Sequence, residues 1–464
     1  MKLDKYHNVY FIGIGGIGMS ALARWFNHNG FAVSGYDRTP TSLTNKLTEE
    51  GIDIHFDDSI DNIPQSIKEN KEQTLVIITP AIPKNHQGLN YFKDNGFELF
   101  KRSQVLGMIA SEFHLVAVAG THGKTTTSSM IAHLLKHAGR DITAFLGGIA
   151  TNYESNYIAN QNKDGKSIAV VEADEFDRSF LTLHPDVAVV TSADADHLDI
   201  YGDKSQLEDS FKAFIRQVKA SGKLFIHEKI AKELVGDDYN RSAHTYGINR
   251  GQFFASNITM RNGFFEFNYC DEQCNINNLM LGVPGFHNVE NATVAIAVAL
   301  DLGLSPDEVK AGIESYRGVK RRFEYIIKSE KIIFVDDYAH HPTEIESFLK
   351  SLKFMYPDKK VTAIFQPHLF TRTRDFVDGF AESLDLADEV ILLDIYPARE
   401  EPIEGVTSQI IYDKMQTEKV LISKEELLNH LENDNYEVIA TIGAGDIDKL
   451  VEPIKELLNE KYHA

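Results

Sequence analysis

Gly120-Thr121-His122-Gly123-Lys124-Thr125-Thr126-Thr127 stands between an apolar run with β-branched valines, His114 to Ala119, and a stretch, Ser128 to Ala138, whose apolar residues recur at helical spacing. Strand, glycine loop and helix together turn backbone N–H groups toward a phosphate, with the favourable end of the helix dipole behind them. Lys124 is placed to reach outer phosphates, and the Thr125 hydroxyl to ligate Mg²⁺ beside them. Val118 takes the place of the first glycine of the usual eight-residue pattern, so the loop is a variant. The competing reading is a glycine turn with a surface lysine; the strand and helix on either side favour the phosphate loop.

The chain has 464 residues, enough for two or three domains with sizeable cores. Hydrophobic residues make up 43% and charged residues 25%, as in ordinary globular proteins. A net charge of -21 argues against a nucleic-acid partner, which needs surplus Lys and Arg, so anionic ligands must be held by local sites. The only two cysteines, Cys270 and Cys274, lack the further ligands of a zinc site and read as free thiols in a reducing compartment. No charged-then-apolar leader opens the chain and no apolar run approaches ~18 residues, so a cytoplasmic protein without membrane insertion is expected.

A first domain is expected over residues 1–107. Asn8 to Ile12 reads as a buried strand, followed by Gly13-Ile14-Gly15-Gly16-Ile17-Gly18, a helix over Met19 to Asn29, and a second strand, Phe31 to Tyr36, ending at Asp37. An acid about twenty residues after such glycines belongs to the dinucleotide fingerprint. A complete dinucleotide fold needs two βαβαβ halves, yet the phosphate-loop strand arrives by residue 115 after one further strand, Thr74 to Ile78. The unit is therefore a Rossmann-like half. Its glycine loop suits the diphosphate of a UDP-sugar as well as that of NAD; a turn without ligand is the third alternative.

A central domain is expected over 108–316 and a C-terminal one over 317–464. In the central domain, strands over 167–171 and 186–190 end in Glu172-Ala173-Asp174-Glu175 and in Asp194-Ala195-Asp196-His197-Leu198-Asp199. Acids at strand ends beside a phosphate loop lie on the ligand edge of an open α/β sheet, where Mg²⁺ is held. Mg²⁺ prefers oxygen, so chemistry alone reads His197 as hydrogen-bonded to its acidic neighbours. A hairpin is expected around Asn262-Gly263. Asn288 and Asn291 lie one turn apart, suited to an adenine edge; Asn288 also reads as a helix N-cap. In the C-terminal domain, strands over 331–335, 361–365, 389–393 and 436–440 alternate with helices, a third doubly wound α/β unit. The first two end in Asp336 to Glu344 and Gln366 to Arg374, placing His340, His341, Arg372 and Arg374 at strand ends that would face one cleft.

With these stretches, together with Arg321 to Glu324, His287 to Ala292 and Asp394 to Glu401, the chain resembles the Mur ligase family over nearly its whole length. The resemblance implies three α/β domains: an N-terminal Rossmann-like half for a UDP-substrate, a central P-loop ATPase-type domain, and a C-terminal Rossmann-like domain for an amino acid. It implies an ATP-dependent ligase of peptidoglycan precursor synthesis. The two residues Tyr338-Ala339 before the histidines fit the branch that adds L-alanine to UDP-N-acetylmuramate, and also its recycling relative, which attaches a preformed tripeptide. Phe176 and Arg178 depart from the serine and small residue expected in the acidic motif. The resemblance further implies Gly120, Thr121, His122, Gly123, Lys124, Thr125 and Thr126 on ATP, with Arg322 at the γ-phosphate, Asp337 on the ribose, and Asn288 and Asn291 at adenine. Thr125, Glu172 and His197 would serve Mg²⁺ or Mn²⁺. Gly15, Gly16, Ile17, Gly18, Asp37, Thr79 and His122 would meet the UDP-substrate, and His340, His341, Arg372 and Arg374 the amino acid and muramyl carboxylate. Lys124, Glu172, His197 and Arg322 would be catalytic. Domain closure is expected to assemble the site. Either a monomer or a homodimer fits. A P-loop kinase and an NAD-dependent dehydrogenase are the competitors from other classes.

Overall fold

A computed structural model describes residues 3–80, 82–161, 167–194, 204–236, 242–261, 264–398 and 400–463. The chain divides into two compact units, one made of Met1–Phe254, Tyr269–Cys274 and Asn291–Gly312, the other of Ala255–Asn268, Asn275–Glu290 and Ile313–Ala464.

The first unit opens with a parallel sheet of β1 (Asn8–Ile12), β2 (Ala32–Tyr36), β3 (Asp53–His55), β4 (Thr74–Ile78) and β5 (Leu99–Lys101), in the order β3-β2-β1-β4-β5. Strand order reverses between β1 and β4, so the crevice beyond their carboxyl ends is the ligand position of an open α/β sheet. The glycine loop leaves β1 there, and the helix Ile17–His28 follows it. The three-residue strands β3 and β5 were not foreseen: Asp53-Ile54-His55 and Leu99-Phe100-Lys101 are too short to show a strand period.

The same unit holds β6 (His114–Ala119), β7 (Ile142–Ala150), β8 (Ser155–Ile158), β9 (Ile168–Glu172), β10 (Val187–Val190), β11 (Lys223–His227) and β12 (Ser242–Ile248), ordered β12-β11-β10-β6-β9-β7-β8. All these neighbours are parallel except β7 and β8. Register sets Val118 opposite Glu172 and Val190 opposite Ala119, so the loops after β6, β9 and β10 leave the sheet at one level. Continuous apolar runs such as Leu115–Ala119 and Ala169–Val171 are fully buried, as strands covered on both faces must be. One apolar cluster joins Phe11, Leu22 and Phe26 to Ala117, Val171, Phe211 and Leu224. Arg24 of the first helix donates to Glu50 and, from a buried guanidinium, to Asn156 after β7.

Strands β13 (Phe253–Arg261), β14 (Phe264–Cys270) and β15 (Asn275–Leu281) are hydrogen-bonded in sequence order. The expected turn residues Asn262 and Gly263 lie outside the described residues; the strands on either side, β13 and β14, are neighbours in the sheet. Among the described residues Cys270 and Cys274 form no disulfide. The second unit contains β16 (Glu324–Lys328), β17 (Ile333–Asp337), β18 (Val361–Phe365), β19 (Glu389–Leu392), β20 (Glu418–Leu421) and β21 (Val438–Ile442), ordered β16-β17-β21-β18-β19-β20. Only β16 runs antiparallel to its neighbour. Among the described residues no helix is long and apolar enough to cross a membrane.

Candidate active site

In the first unit the phosphate loop joins β6 to the helix Lys124–His137. Gly123, the residue before the helix, has φ +80°, and a Cβ there would stand 2.7 Å from Asn291 Oδ1. Asn291 Oδ1 also accepts from Thr127 Oγ1 at 3.1 Å, so this amide sits against the loop itself. The residues after β10 brace the loop from its other side. Thr121 N donates to Ser192 O at 3.2 Å, His122 N to Ser192 Oγ at 2.8 Å, and Asp194 N to Thr121 Oγ1 at 3.0 Å. His122 Nε2 lies 3.4 Å from Asp194 Oδ2.

Lys124 folds back over its own loop. Nζ donates to Gly120 O at 2.6 Å and to Thr121 O at 3.3 Å, and it pairs with Glu175 at 2.8 Å. Burial works against the ammonium charge, but Glu175, Asp174 and Glu172 outweigh it and hold the Lys124 pKa above the ordinary lysine value. Thr125 is buried in the first turn of the helix and Glu172 ends β9, where its Oε2 accepts from Gly147 N at 3.0 Å. A hydroxyl and a carboxylate oxygen beside a phosphate loop are the donors Mg²⁺ takes, so these residues fit that ion. The third expected ligand, His197, lies outside the described residues.

At the other glycine loop, Asp37 Oδ2 accepts from Gly15 N at 2.7 Å, and a Cβ on Gly15 would come within 2.7 Å of Thr44. Thr79 packs against Gly13. Gly16 precedes the helix and Ile17 begins it, partly exposed. Gly18 lies under the Arg102 guanidinium, whose Nη2 reaches Asp174 at 3.3 Å. Lys101 pairs with Asp177 at 3.0 Å. The segment after Glu172 therefore touches both loops: Asp174 through Arg102 beside Gly18, and Glu175 through Lys124. Asp177 and Arg178 of that segment have left-handed φ of 51° and 54°.

The second unit gathers Arg322, Asp337, His340 and His341 around the end of β17. Asp337 accepts from Phe323 N at 2.7 Å and Ala339 N at 2.8 Å. Burial, against the opposing pull of Arg322 and these N–H groups, raises its pKa to about 7. The Arg322 guanidinium lies 5.0 Å from the Tyr338 ring centre and 3.9 Å from Glu344, which also accepts from His340 N at 3.0 Å. His341 caps the helix Pro342–Met355. Arg372 is buried and lies 3.3 Å from His368 Nδ1; His368 in turn stacks on Tyr396. Arg374 is exposed and pairs with adjacent Asp375 at 2.8 Å. Asn288 belongs to the helix Phe286–Asp301 and donates from Nδ2 to Pro284 O at 2.6 Å. It is not the N-cap that its sequence context suggested, because the helix begins at Phe286. Burial lowers the neighbouring His287 to about 4 despite Glu290 and Glu344, with Arg322 adding to the effect.

Glu175, Arg102, His287, His368 and Tyr396 were not foreseen as site residues. Glu175 stood in view within the acidic cluster, yet which of its three acids meets Lys124 is a matter of loop path. Arg102 carries no local signal.

Three family models match the chain: "Mur ligase family, catalytic domain" over residues 8–114, "Mur ligase middle domain" over 118–299, and "Mur ligase, glutamate ligase domain" over 321–446. A UDP-N-acetylmuramate–L-alanine ligase of Cytophaga hutchinsonii is 47% identical over 100% of this chain and 99% of its own length. One of Flavobacterium johnsoniae is 50% identical over 99% of this chain and 100% of its own. A crystal structure of a UDP-N-acetylmuramate-alanine ligase from Thermotoga maritima superposes with TM-score 0.81 at 29% identity, covering 98% of this chain and 99% of that one.

Proposed function

The chain belongs to the Mur ligase family, and from that premise we propose that it joins L-alanine to the carboxylate of UDP-N-acetylmuramate with ATP, in peptidoglycan precursor synthesis in the cytoplasm. The observation that carries the reading is Lys124 at the start of a helix behind a glycine loop, level with the acid-bearing ends of β9 and β10. The division of labour we propose is UDP-substrate on 1–107, ATP on 108–316 and amino acid on 317–464.

A carboxylate does not acylate an amine at neutral pH, because its oxygen is a poor leaving group. In the proposed reaction a carboxylate oxygen attacks the γ-phosphorus, the bond to the β-phosphate oxygen breaks, and ADP leaves. The neutral amine of L-alanine then attacks the acyl carbon, the tetrahedral intermediate expels inorganic phosphate, and the amine nitrogen loses its proton. Lys124 and Arg322 offset negative charge on the transferring group. Mg²⁺ held by Thr125, Glu172 and His197 would add Lewis-acid stabilisation of the phosphoryl oxygens. Asn288 and Asn291 receive adenine, and Asp337 the ribose. Each Asp337 oxygen accepts one backbone N–H and keeps a lone pair for a hydroxyl. His340, His341, Arg372 and Arg374 orient the amino acid and the muramyl carboxylate. Gly15, Gly16, Ile17, Gly18, Asp37, Thr79 and His122 take the UDP-substrate.

The test is phosphate release with UDP-N-acetylmuramate and ATP against a panel of amino acids and the preformed tripeptide. L-Alanine supports turnover and the tripeptide does not; the reverse identifies a recycling ligase. ¹⁸O placed in the muramyl carboxylate appears in the released phosphate, and its absence there refutes the acyl-phosphate route. NAD shows no micromolar binding at Gly13 to Gly18; a tight NAD complex without UDP-sugar affinity overturns that assignment.

A further inference from the structure

The lysine of the phosphate loop is already committed. A lysine ammonium has three N–H bonds, and Lys124 Nζ has three acceptors around it: Gly120 O at 2.6 Å, Thr121 O at 3.3 Å and the Glu175 carboxylate at 2.8 Å. Glu175 is fully buried and the Lys124 side chain is 13% exposed. A phosphate oxygen arriving at Nζ must displace one of the three. The two carbonyls are neutral dipoles belonging to the loop that cradles the phosphate. Glu175 is different: it bears the same sign of charge as the arriving group, in surroundings that screen it weakly.

We propose that Glu175 is a positioning residue that clasps Lys124 in the nucleotide-free enzyme, and that nucleotide enters by exchanging phosphate for Glu175 at Lys124 Nζ. The inference rests on the ATP-site reading above and adds to it a competitor built into the chain. The segment carrying Glu175 is held in place by its surroundings. It contains two consecutive non-glycine residues, Asp177 and Arg178, at φ 51° and 54°, a conformation that costs on the order of 1 kcal/mol or more per residue. Its backbone stays anchored during the exchange, with Asp174 on Arg102 and Asp177 on Lys101, so the Glu175 side chain moves while its tether holds. When ADP and phosphate depart, the carboxylate returns to Nζ. The clasp thus weakens nucleotide binding and hastens product release.

The experiment is calorimetric binding of Mg·ADP to the full-length protein and to Glu175→Gln, which keeps the side-chain shape and one acceptor oxygen but removes the charge. ADP binds roughly tenfold more tightly to the variant, and KM for ATP and kcat fall together because release slows. If wild type binds no ADP, the ATP-site reading fails. If wild type binds and Glu175→Gln binds equally or more weakly, the clasp is wrong. Should Glu175→Gln fail to fold, Glu175→Asp carries the test: it retains the charge but withdraws it from Nζ by one methylene. Tighter ADP binding is expected there too, and unchanged or weaker binding overturns the proposal.

Discussion

The two glycine loops of this chain share a plan and differ in where their charges come from. Each leaves the end of a parallel strand and enters a helix, Gly13–Gly18 before Ile17–His28 and Gly120–Gly123 before Lys124–His137. In the first, the residue nearest the loop N–H groups is an acid, Asp37 on Gly15 N, and the cation beside it, Arg102, is borrowed from another helix. In the second, the cation is part of the loop and an acid is borrowed to hold it. In the proposed assignment the second arrangement would supply the positive charge that phosphoryl transfer needs, and the first suits holding a diphosphate that does not react.

The sharpest way to break this contrast is Lys124→Ala. Turnover falls about a thousandfold or more, in line with a charge that acts on the transferring group, while the dissociation constant for UDP-N-acetylmuramate changes little. Comparable losses in both would erase the functional distinction between the loops. The variant also leaves Glu175 buried without its cation, which destabilises the fold by about 3–5 kcal/mol. Chemical denaturation of Lys124→Met with Glu175→Gln recovers most of that stability but none of the turnover.

Gly123→Ala comes next. The new methyl group meets Asn291 Oδ1 at 2.7 Å and the backbone stays at φ +80°, a strain of about 1–3 kcal/mol. In steady-state kinetics kcat/KM for ATP drops between about tenfold and a hundredfold, and UDP-sugar binding is spared. Gly15→Ala is its mirror image. Its methyl group would crowd Thr44 at 2.7 Å and the Asp37 carboxylate at 2.8 Å, so UDP-sugar affinity measured by calorimetry falls about tenfold, a loss of about 1.4 kcal/mol. ADP binding is unchanged. If Gly15→Ala weakens ADP instead, the assignment of the two loops is exchanged.

The smallest effect belongs to Gly16→Ala. Gly16 has φ -65° and ψ 143°, and a Cβ there would find nothing nearer than 3.6 Å. The folded backbone accepts alanine, and the unfolded chain loses freedom, so thermal melts show stabilisation of about 0.5 kcal/mol. A marked destabilisation would mean that this loop, too, is tightly held by its surroundings, and the contrast with Gly123 would narrow.

Much of the molecule was legible in the order of its residues. Valine-rich runs ending in glycine, acid or histidine marked the strands and the ligand edge of each sheet, because a strand buried on both faces must be apolar until it emerges. The family resemblance rested on those same strand ends. Short strands such as Asp53–His55 and Leu99–Lys101 escaped, since three residues carry no period. What the sequence by itself determined was therefore local: two glycine loops, the helices behind them, and the residues available at each strand end. Only the tertiary structure decided which of those residues meet. Lys124 finds Glu175 51 positions away because β6 lies beside β9 in the sheet, and Arg102 finds Gly18 because its helix packs against the helix whose first turn holds Gly18. Such pairings depend on strand order and helix packing, which bring together residues that no local pattern connects, and they determine the charge each loop presents to a phosphate.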